Sequence, residues 1–354
     1  MNPVSIGFAG VGFMGQVAHL RNYARRQDCR VVAIAEPRSE LAQRVAAEFD
    51  IPRVYHSHLD LAADPEVQGV VASQPHLHNG HIAIPLLHAG KHVFIEKPMA
   101  GSTDEAERIA RTAEAAGVHV MVGLMKRYDT SVLVARERLT EFYASGELGA
   151  LRRIRAFCFG GDWIQDAILP LSTAEIVPSD PSFTPVYPTW MDFDQARQFQ
   201  SYLNIMAHTV NLVRYLYPGP MTVQTALGQR NNRLLHTALL TGEEGVIVEV
   251  AGGSLRAHAW QEETHFYFER GWVKLFTPPP LNRQARGCLE IYHSTDGKQA
   301  RREELHPPID WAFRRQADHF IECVRHNTPP ISSGHDTLQD MHLMEDIFRK
   351  MILM

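Results

Sequence analysis

The sequence predicts two domains of different class: an N-terminal doubly wound parallel α/β domain, then an α+β domain with an open, mainly antiparallel sheet. Three observations carry this. Residues 1 to about 125 alternate short apolar strands with amphipathic helices. The run Gly10-Val11-Gly12-Phe13-Met14-Gly15 falls where the first strand meets the first helix. From Leu151 onward, apolar segments follow one another through hairpin turns.

In order, Val4–Ala9 reads as a buried strand and a helix begins at about Gln16. Gly10 permits the tight turn, Gly12 lets a pyrophosphate approach the backbone, and Gly15 lets helix and strand pack closely. The N–H groups and the positive dipole end of that helix, with Phe13 and Met14 in the loop, then face the phosphates. A second strand, Arg30–Ala35, ends on Glu36, about 20 residues on, where an acid holds an adenosine ribose. A carboxylate there accepts from both ribose hydroxyls and repels a 2′-phosphate, which favours NAD. Arg38 is placed either to stack on adenine or to pair with a 2′-phosphate, so NADP stays open.

Arg38–Asp50 is helical, with Leu41, Val45 and Phe49 on one face. Gly69–Ser73 is a strand, and Gly80–Ala89 is a helix closed by Gly90. The strand His92–Ile95 ends in Glu96-Lys97-Pro98; the helix Thr103–Ala116 and the strand Val118–Val122 follow. The expected division is 1–125 for the dinucleotide-binding domain and 126–354 for a substrate-binding and oligomerisation domain. In the second, Ser131–Ser145, Gln195–Leu216, Trp311–His326 and His335–Met351 read as helices. Its strands read as Leu151–Phe159, Thr222–Leu227, Leu235–Thr241, Val246–Val250, Ser254–Trp260, Thr264–Glu269, Trp272–Phe276 and Leu289–His293. Residues 162–190, carrying Trp163 and Trp190, form a Pro-rich stretch long enough to suggest that it binds something or packs on a partner.

Composition is that of an ordinary soluble protein: 354 residues, 45% hydrophobic, 21% charged, net charge −5. There is no basic stripe for nucleic acid and no apolar run of the ~20 residues that span a bilayer. The first strand starts almost at once, leaving no room for a leader, so a cytoplasmic protein is expected. Four scattered cysteines suit a reducing compartment. His76, His78 and His81 cluster, but without a cysteine or carboxylate at supporting spacing, so no metal is expected.

Ligands of a doubly wound sheet bind beyond the carboxyl ends of its strands. Ser73–His78, Glu96–Pro98 and Gly123–Tyr128 should therefore face the reacting end of a dinucleotide. Lys97 precedes a proline, which biases it to extended backbone. Its ammonium is suited to hold a substrate oxygen and relay a proton; the alternative is a surface lysine paired with Glu96.

The glycine run, the stretch Ala89-Gly90-Lys91-His92-Val93-Phe94-Ile95-Glu96-Lys97-Pro98 and the change to an antiparallel second domain resemble the Gfo/Idh/MocA family, the glucose–fructose oxidoreductase and inositol dehydrogenase group. The resemblance is strong over residues 1–130 and resumes near His208. It implies a Rossmann domain, a second domain whose sheet forms a homodimer or homotetramer interface, and NAD or NADP chemistry on a sugar, cyclitol or related polyol. It implies Lys97 and His208 as catalytic. Many members carry an aspartate where this chain has Asn204, four residues before the histidine. An amide orients an imidazole without stabilising the imidazolium by charge, so His208 should be a weaker base here. Ser73 and Gln74 stand at family cofactor-contact positions, with Pro75 displaced by one; His78 and Glu96 are expected near the cofactor. Arg127 and Tyr128 match a segment near the substrate, with Trp163 a further contact; Arg127 suits a carboxylate, phosphate or diol, or else links the domains.

The function so implied is hydride transfer between nicotinamide and a secondary alcohol or ketone carbon. One alternative retains the cofactor and uses a transient keto sugar for elimination or glycoside cleavage. Another is a non-catalytic dinucleotide-binding regulator.

Overall fold

A computed structural model describes residues 2–352 apart from 166, 230–234, 296 and 298. It forms two compact units, each made of segments distant in sequence. The first holds Met1–Leu124, Ala167–Met191 and Phe313–Met341; the second holds Met125–Asp166, Asp192–Ala312 and His342–Met354. The expected single boundary gives 167–191 and 313–341 to the second domain, whereas their packing gives them to the first. Hydrophobic pattern reports that a segment is buried, not which core buries it.

In the first unit the strands are β1 (Val4–Ala9), β2 (Cys29–Ala35), β3 (Arg53–Tyr55), β4 (Gly69–Ala72), β5 (His92–Ile95) and β6 (Val120–Val122). They form one sheet in the order β3-β2-β1-β4-β5-β6. Every pairing in it is parallel. β1, β4 and β5 are near-continuous apolar runs, with Ile6, Phe8, Val70, Val71, Val93, Phe94 and Ile95 all fully buried. Such runs mark strands covered by helices on both faces. The order reverses between β1 and β4, so the crevice that binds ligands in this architecture opens beyond Ala9 and Ala72.

β3 and the helix His58–Ala63 were not read from sequence; three half-buried residues give β3 no periodic signal. The helix expected from Gln16 begins as a π-helical segment, Gly15–Leu20, before Arg21–Tyr23. Beside β6 lies the segment around Ser332, whose backbone carbonyl accepts from the Val122 N–H at 2.9 Å while its hydroxyl donates to the Val122 carbonyl at 2.8 Å. A distant segment thus occupies groups that a bare sheet edge would expose.

The second unit is built on strands β7 (Leu151–Gly160), β8 (Thr222–Gly228), β9 (His236–Thr241), β10 (Ile247–Ser254), β11 (Gln261–Phe268), β12 (Gly271–Phe276), β13 (Cys288–Ser294) and β14 (Ala300–Leu305). Their order is β14-β13-β12-β11-β7-β10-β9-β8. All pairings are antiparallel except β7 with β10. Strict alternation in β9 and β12 shows one face turned to a core. The helix Phe193–Leu216 lies on that core, starting from an Asp192/Gln195 capping box.

Two strand readings need correction. Ser254–Trp260 is not a strand: β10 ends at Ser254 and β11 begins at Gln261. Alternation over those few residues only mimics one. β14 gives no strand signal because four of the six residues in Ala300–Leu305 are charged, a composition that protects an edge strand from further pairing.

Candidate functional site

The glycine loop leaves β1 at Gly10, whose φ of +82° is open to glycine at no steric cost. A Cβ on Gly15 would lie 2.7 Å from the Gly10 carbonyl oxygen and 2.7 Å from Ser73 Oγ. The loop, the helix and the end of β4 therefore meet with no room for a side chain at Gly15. Ser73 seals the contact by donating to the Gly10 carbonyl at 3.0 Å. Gly12 differs. A Cβ there would meet only Arg38 Nη2, at an ordinary 3.6 Å. The protein itself does not need glycine at 12, which fits a loop shaped for a ligand's close approach. Phe13 and Met14 flank it, half-buried.

Glu36 is buried, as its position at the end of β2 dictates. Its Oε2 accepts from the Val11 N–H at 3.0 Å, and Arg38 grips both oxygens through Nε at 2.7 Å and Nη2 at 3.0 Å. The expected acid is in place beside the loop, as half of a forked ion pair with Arg38. The pair holds Arg38 above its ordinary range, mainly through the Glu36 hydrogen bond.

Residues 171–175 lie along the same end of the first unit, which sequence reasoning missed. Gln16, buried at the start of the helix, donates to the carbonyls of Val11 at 2.8 Å and Leu171 at 3.0 Å, and accepts from the Leu171 N–H at 2.9 Å. Arg44 donates to the Ser172 carbonyl. The Glu175 carboxylate accepts from the backbone N–H groups of Glu40 and Leu41, at the start of the helix Ser39–Glu48. Further along, the Phe183 ring stacks on His78 with centroids 3.7 Å apart, and Asp180 meets His81 at 2.9 Å. His78 is thus turned toward this strap. The loop's length was the only sequence signal.

The Glu-Lys-Pro turn is held from beneath. Asn79, fully buried, donates through Nδ2 to the carbonyls of Glu96 at 2.8 Å and Pro98 at 3.0 Å, and accepts from Gln74 at 3.2 Å. The Lys97–Pro98 peptide is cis. Glu96, expected toward a cofactor, turns its carboxylate inward: it meets His19 at 2.6 Å and accepts the Lys97 N–H at 3.1 Å. Lys97 itself is half-buried. The His76 imidazole is pushed down to about 4, by burial first and then by the Lys97 ammonium, so it is neutral at physiological pH.

In the second unit, Asn204 and His208 stand four residues apart on the helix Phe193–Leu216, off the stripe of Phe199, Leu203, Met206 and Val210 that enters the core. Asn204 is exposed and His208 half-buried. Arg127 is buried, donates through Nε to Asn211 at 3.0 Å and lies over the Tyr215 ring. Its surroundings are those of a side chain held within this unit. Tyr128 is also buried, and Trp163 is 45% exposed. Neighbouring Lys126, not singled out from sequence, is buried against Glu262 at 2.5 Å. Cys288 on β13, Glu304 on β14 and His306 just after it place one ligand-type atom each within 4.8 Å of one another. Burial, with Glu304 and Glu290 nearby, pushes the Cys288 thiol up, away from the thiolate a metal needs. No helix among the described residues is long and apolar enough to cross a membrane.

A parallel sheet with a glycine loop at its switch point and an acid after its second strand defines a dinucleotide-binding domain. Residues 4–124 match the model of an oxidoreductase family with an NAD-binding Rossmann fold, GFO_IDH_MocA. Over these residues the chain is similar to the Gfo/Idh/MocA family. It is 33% identical over 131 residues to trans-1,2-dihydrobenzene-1,2-diol dehydrogenase of Bos taurus, covering 37% of this chain and 38% of the relative. It is 28% identical over 142 residues to scyllo-inositol 2-dehydrogenase (NADP(+)) of Bacillus subtilis strain 168, covering 40% and 38%. The chain thus spans less than half the length of these curated relatives. A 3-ketoreductase from Actinomadura kijaniata, solved with NADP and TDP-benzene, shares the fold with a TM-score of 0.75 at 20% identity, over 99% of this chain and 98% of that one.

Proposed function

We propose that the chain catalyses reversible hydride transfer between a nicotinamide dinucleotide and a ring carbon bearing a secondary alcohol or ketone, in a sugar, cyclitol or related polyol. The observation that carries this is the Lys97 turn: a lysine at the carboxyl end of β5, its backbone fixed by Asn79, in a sheet whose switch point carries a glycine loop. A flexible loop lysine would not be so anchored. The two named relatives support the substrate class, since both names describe six-membered rings with adjacent hydroxyl-bearing carbons.

The residues fit a dinucleotide. Gly10, Gly12 and Gly15, with Phe13 and Met14, would take the pyrophosphate against the helix N-terminus. The Glu36–Arg38 pair would take the ribose and adenine, with Ser73, Gln74 and His78 further along the crevice. When bound, the nicotinamide supplies or accepts the hydride. Lys97 then donates a hydrogen bond to the reacting oxygen and stabilises the charge that develops on it. Neutral His76 beside Lys97 adds no second charge there. We assign His208 to proton exchange, oriented by Asn204, and Arg127, Tyr128 and Trp163 to the substrate's surroundings. General acid–base catalysis of this kind contributes roughly 10²–10⁴-fold.

Self-association as a homodimer or homotetramer through the second sheet is part of the same reading. Leu227, Leu239 and Ile247 stand exposed on neighbouring strands β8, β9 and β10, on one face.

The test is a panel of inositols, aldoses and their keto forms, read by NADH and NADPH absorbance. Dinucleotide-linked turnover of a ring polyol supports the proposal. Tight dinucleotide binding without turnover across the panel supports a regulator instead.

A further inference from the structure

We propose that Glu175, carried on the strap 171–175, is a specificity-determining residue that sets this chain against 2′-phosphorylated dinucleotides. The inference rests on the dinucleotide reading above and adds to it a residue from far outside the Rossmann sequence.

The 2′-oxygen of a bound adenosine ribose lies beyond the end of β2, where Glu36 stands. A phosphate there needs cationic and N–H partners, and the local candidates are the Arg38 guanidinium and the N–H groups that open the helix Ser39–Glu48. Both are already engaged by carboxylates. Glu36 grips Arg38 from below at 2.7 and 3.0 Å. Glu175 places its two oxygens on the helix opening, 3.0 Å from the Glu40 nitrogen and 2.9 Å from the Leu41 nitrogen. An incoming phosphate would meet occupied donors and like charge.

The placement of Glu175 is fixed by its surroundings. Leu171 is bound in both directions by Gln16, the Ser172 carbonyl accepts from Arg44 at 2.9 Å, and the Thr173 hydroxyl donates to Glu175 Oε2 at 3.0 Å. The same Gln16 reaches the Val11 carbonyl of the glycine loop, so strap and loop share an anchor. The Glu40 N–H foremost, with Leu41, Thr173 and Arg38, holds the Glu175 carboxyl below its usual range, so it is ionised at neutral pH.

The experiment titrates the full chain with NADH and NADPH by fluorescence, for wild type, Glu175→Gln and Glu175→Asp. Wild type should prefer NADH. Glu175→Gln keeps an oxygen for the helix N–H groups and removes the charge; it should raise NADPH affinity relative to NADH at least about fivefold, the scale of one like-charge contact at about 4 Å under bulk-water screening. Glu175→Asp should keep the wild-type preference. If Glu175 merely fastens the strap, both affinities move together and the ratio stays, which overturns the inference while leaving the functional reading intact. A wild type that prefers NADPH overturns it too. A wild type that binds neither dinucleotide removes the functional reading and this inference together.

Discussion

Gly12 and Gly15 belong to one motif, yet the structure gives them different reasons to be glycine, and alanine substitution separates them. At Gly15 an added Cβ sits 2.7 Å from the Gly10 carbonyl oxygen, a backbone atom, and 2.7 Å from Ser73 Oγ. Both contacts are well inside van der Waals distance, and overpacking of that kind costs about 1–3 kcal/mol. Alanine regains about 1 kcal/mol of helix propensity at this helical position. Gly15→Ala should therefore lose up to about 2 kcal/mol of stability. At Gly12 the added Cβ meets only the end of the flexible Arg38 side chain at 3.6 Å. That strain is negligible, and the lower entropy of the unfolded chain contributes roughly 0.4–1 kcal/mol in favour of Gly12→Ala. Gly12→Ala should thus fold at least as stably as wild type. Its methyl group, however, stands where the pyrophosphate has to approach, so NADH affinity should fall at least about tenfold. Urea unfolding and NADH titration on both variants make the comparison. A Gly12→Ala protein that binds NADH like wild type would show that no pyrophosphate approaches the backbone there, and a loss of more than about 1 kcal/mol would show that the fold itself needs glycine at 12.

Other consequences are as direct. Asn79→Ala removes the donor shared by the Glu96 and Pro98 carbonyls in a fully buried site; urea unfolding should show a loss of about 2–3 kcal/mol, with turnover falling further than NADH affinity. His76, His92 and His236 are each pushed down from 6.5 to about 4, chiefly by burial. The unfolded chain therefore binds more protons than the folded one between those values, so stability is full above about pH 6.5 and falls toward pH 4; a urea midpoint that stays flat from pH 7 to pH 5 would contradict this. Asn204→Asp should raise the pH at which His208 titrates in the rate profile, because a carboxylate stabilises the imidazolium; an unchanged profile removes His208 from proton exchange.

The parts of the site that sequence exposes are those whose chemistry is local. Gly10, Gly12, Gly15 and Glu36 lie within one strand–turn–helix–strand unit, where spacing alone fixes geometry. Lys97 shows itself because a proline follows it at a strand end. The hidden parts depend on distant segments. Nothing around Leu171 announces that Gln16 will hold it through backbone groups, nor around Glu175 that it will cap the helix beginning at Ser39. Nothing in the sequence around His19 signals that the Glu96 carboxylate will meet it. Asn79 sat inside a histidine-rich run that drew attention to metal ligands, while its own role is to bind carbonyls. In the second unit, β14 lacks the apolar alternation that reveals a strand because an edge requires charge instead.

The central claim is that Lys97 acts on the substrate's reacting oxygen and not on the structure or the cofactor. Stopped-flow and steady-state absorbance with NADH and a keto polyol, run on wild type and Lys97→Met, test it most directly. The variant should fold, bind NADH within a few-fold of wild type and show no turnover above background. Wild-type-like turnover in Lys97→Met would contradict it.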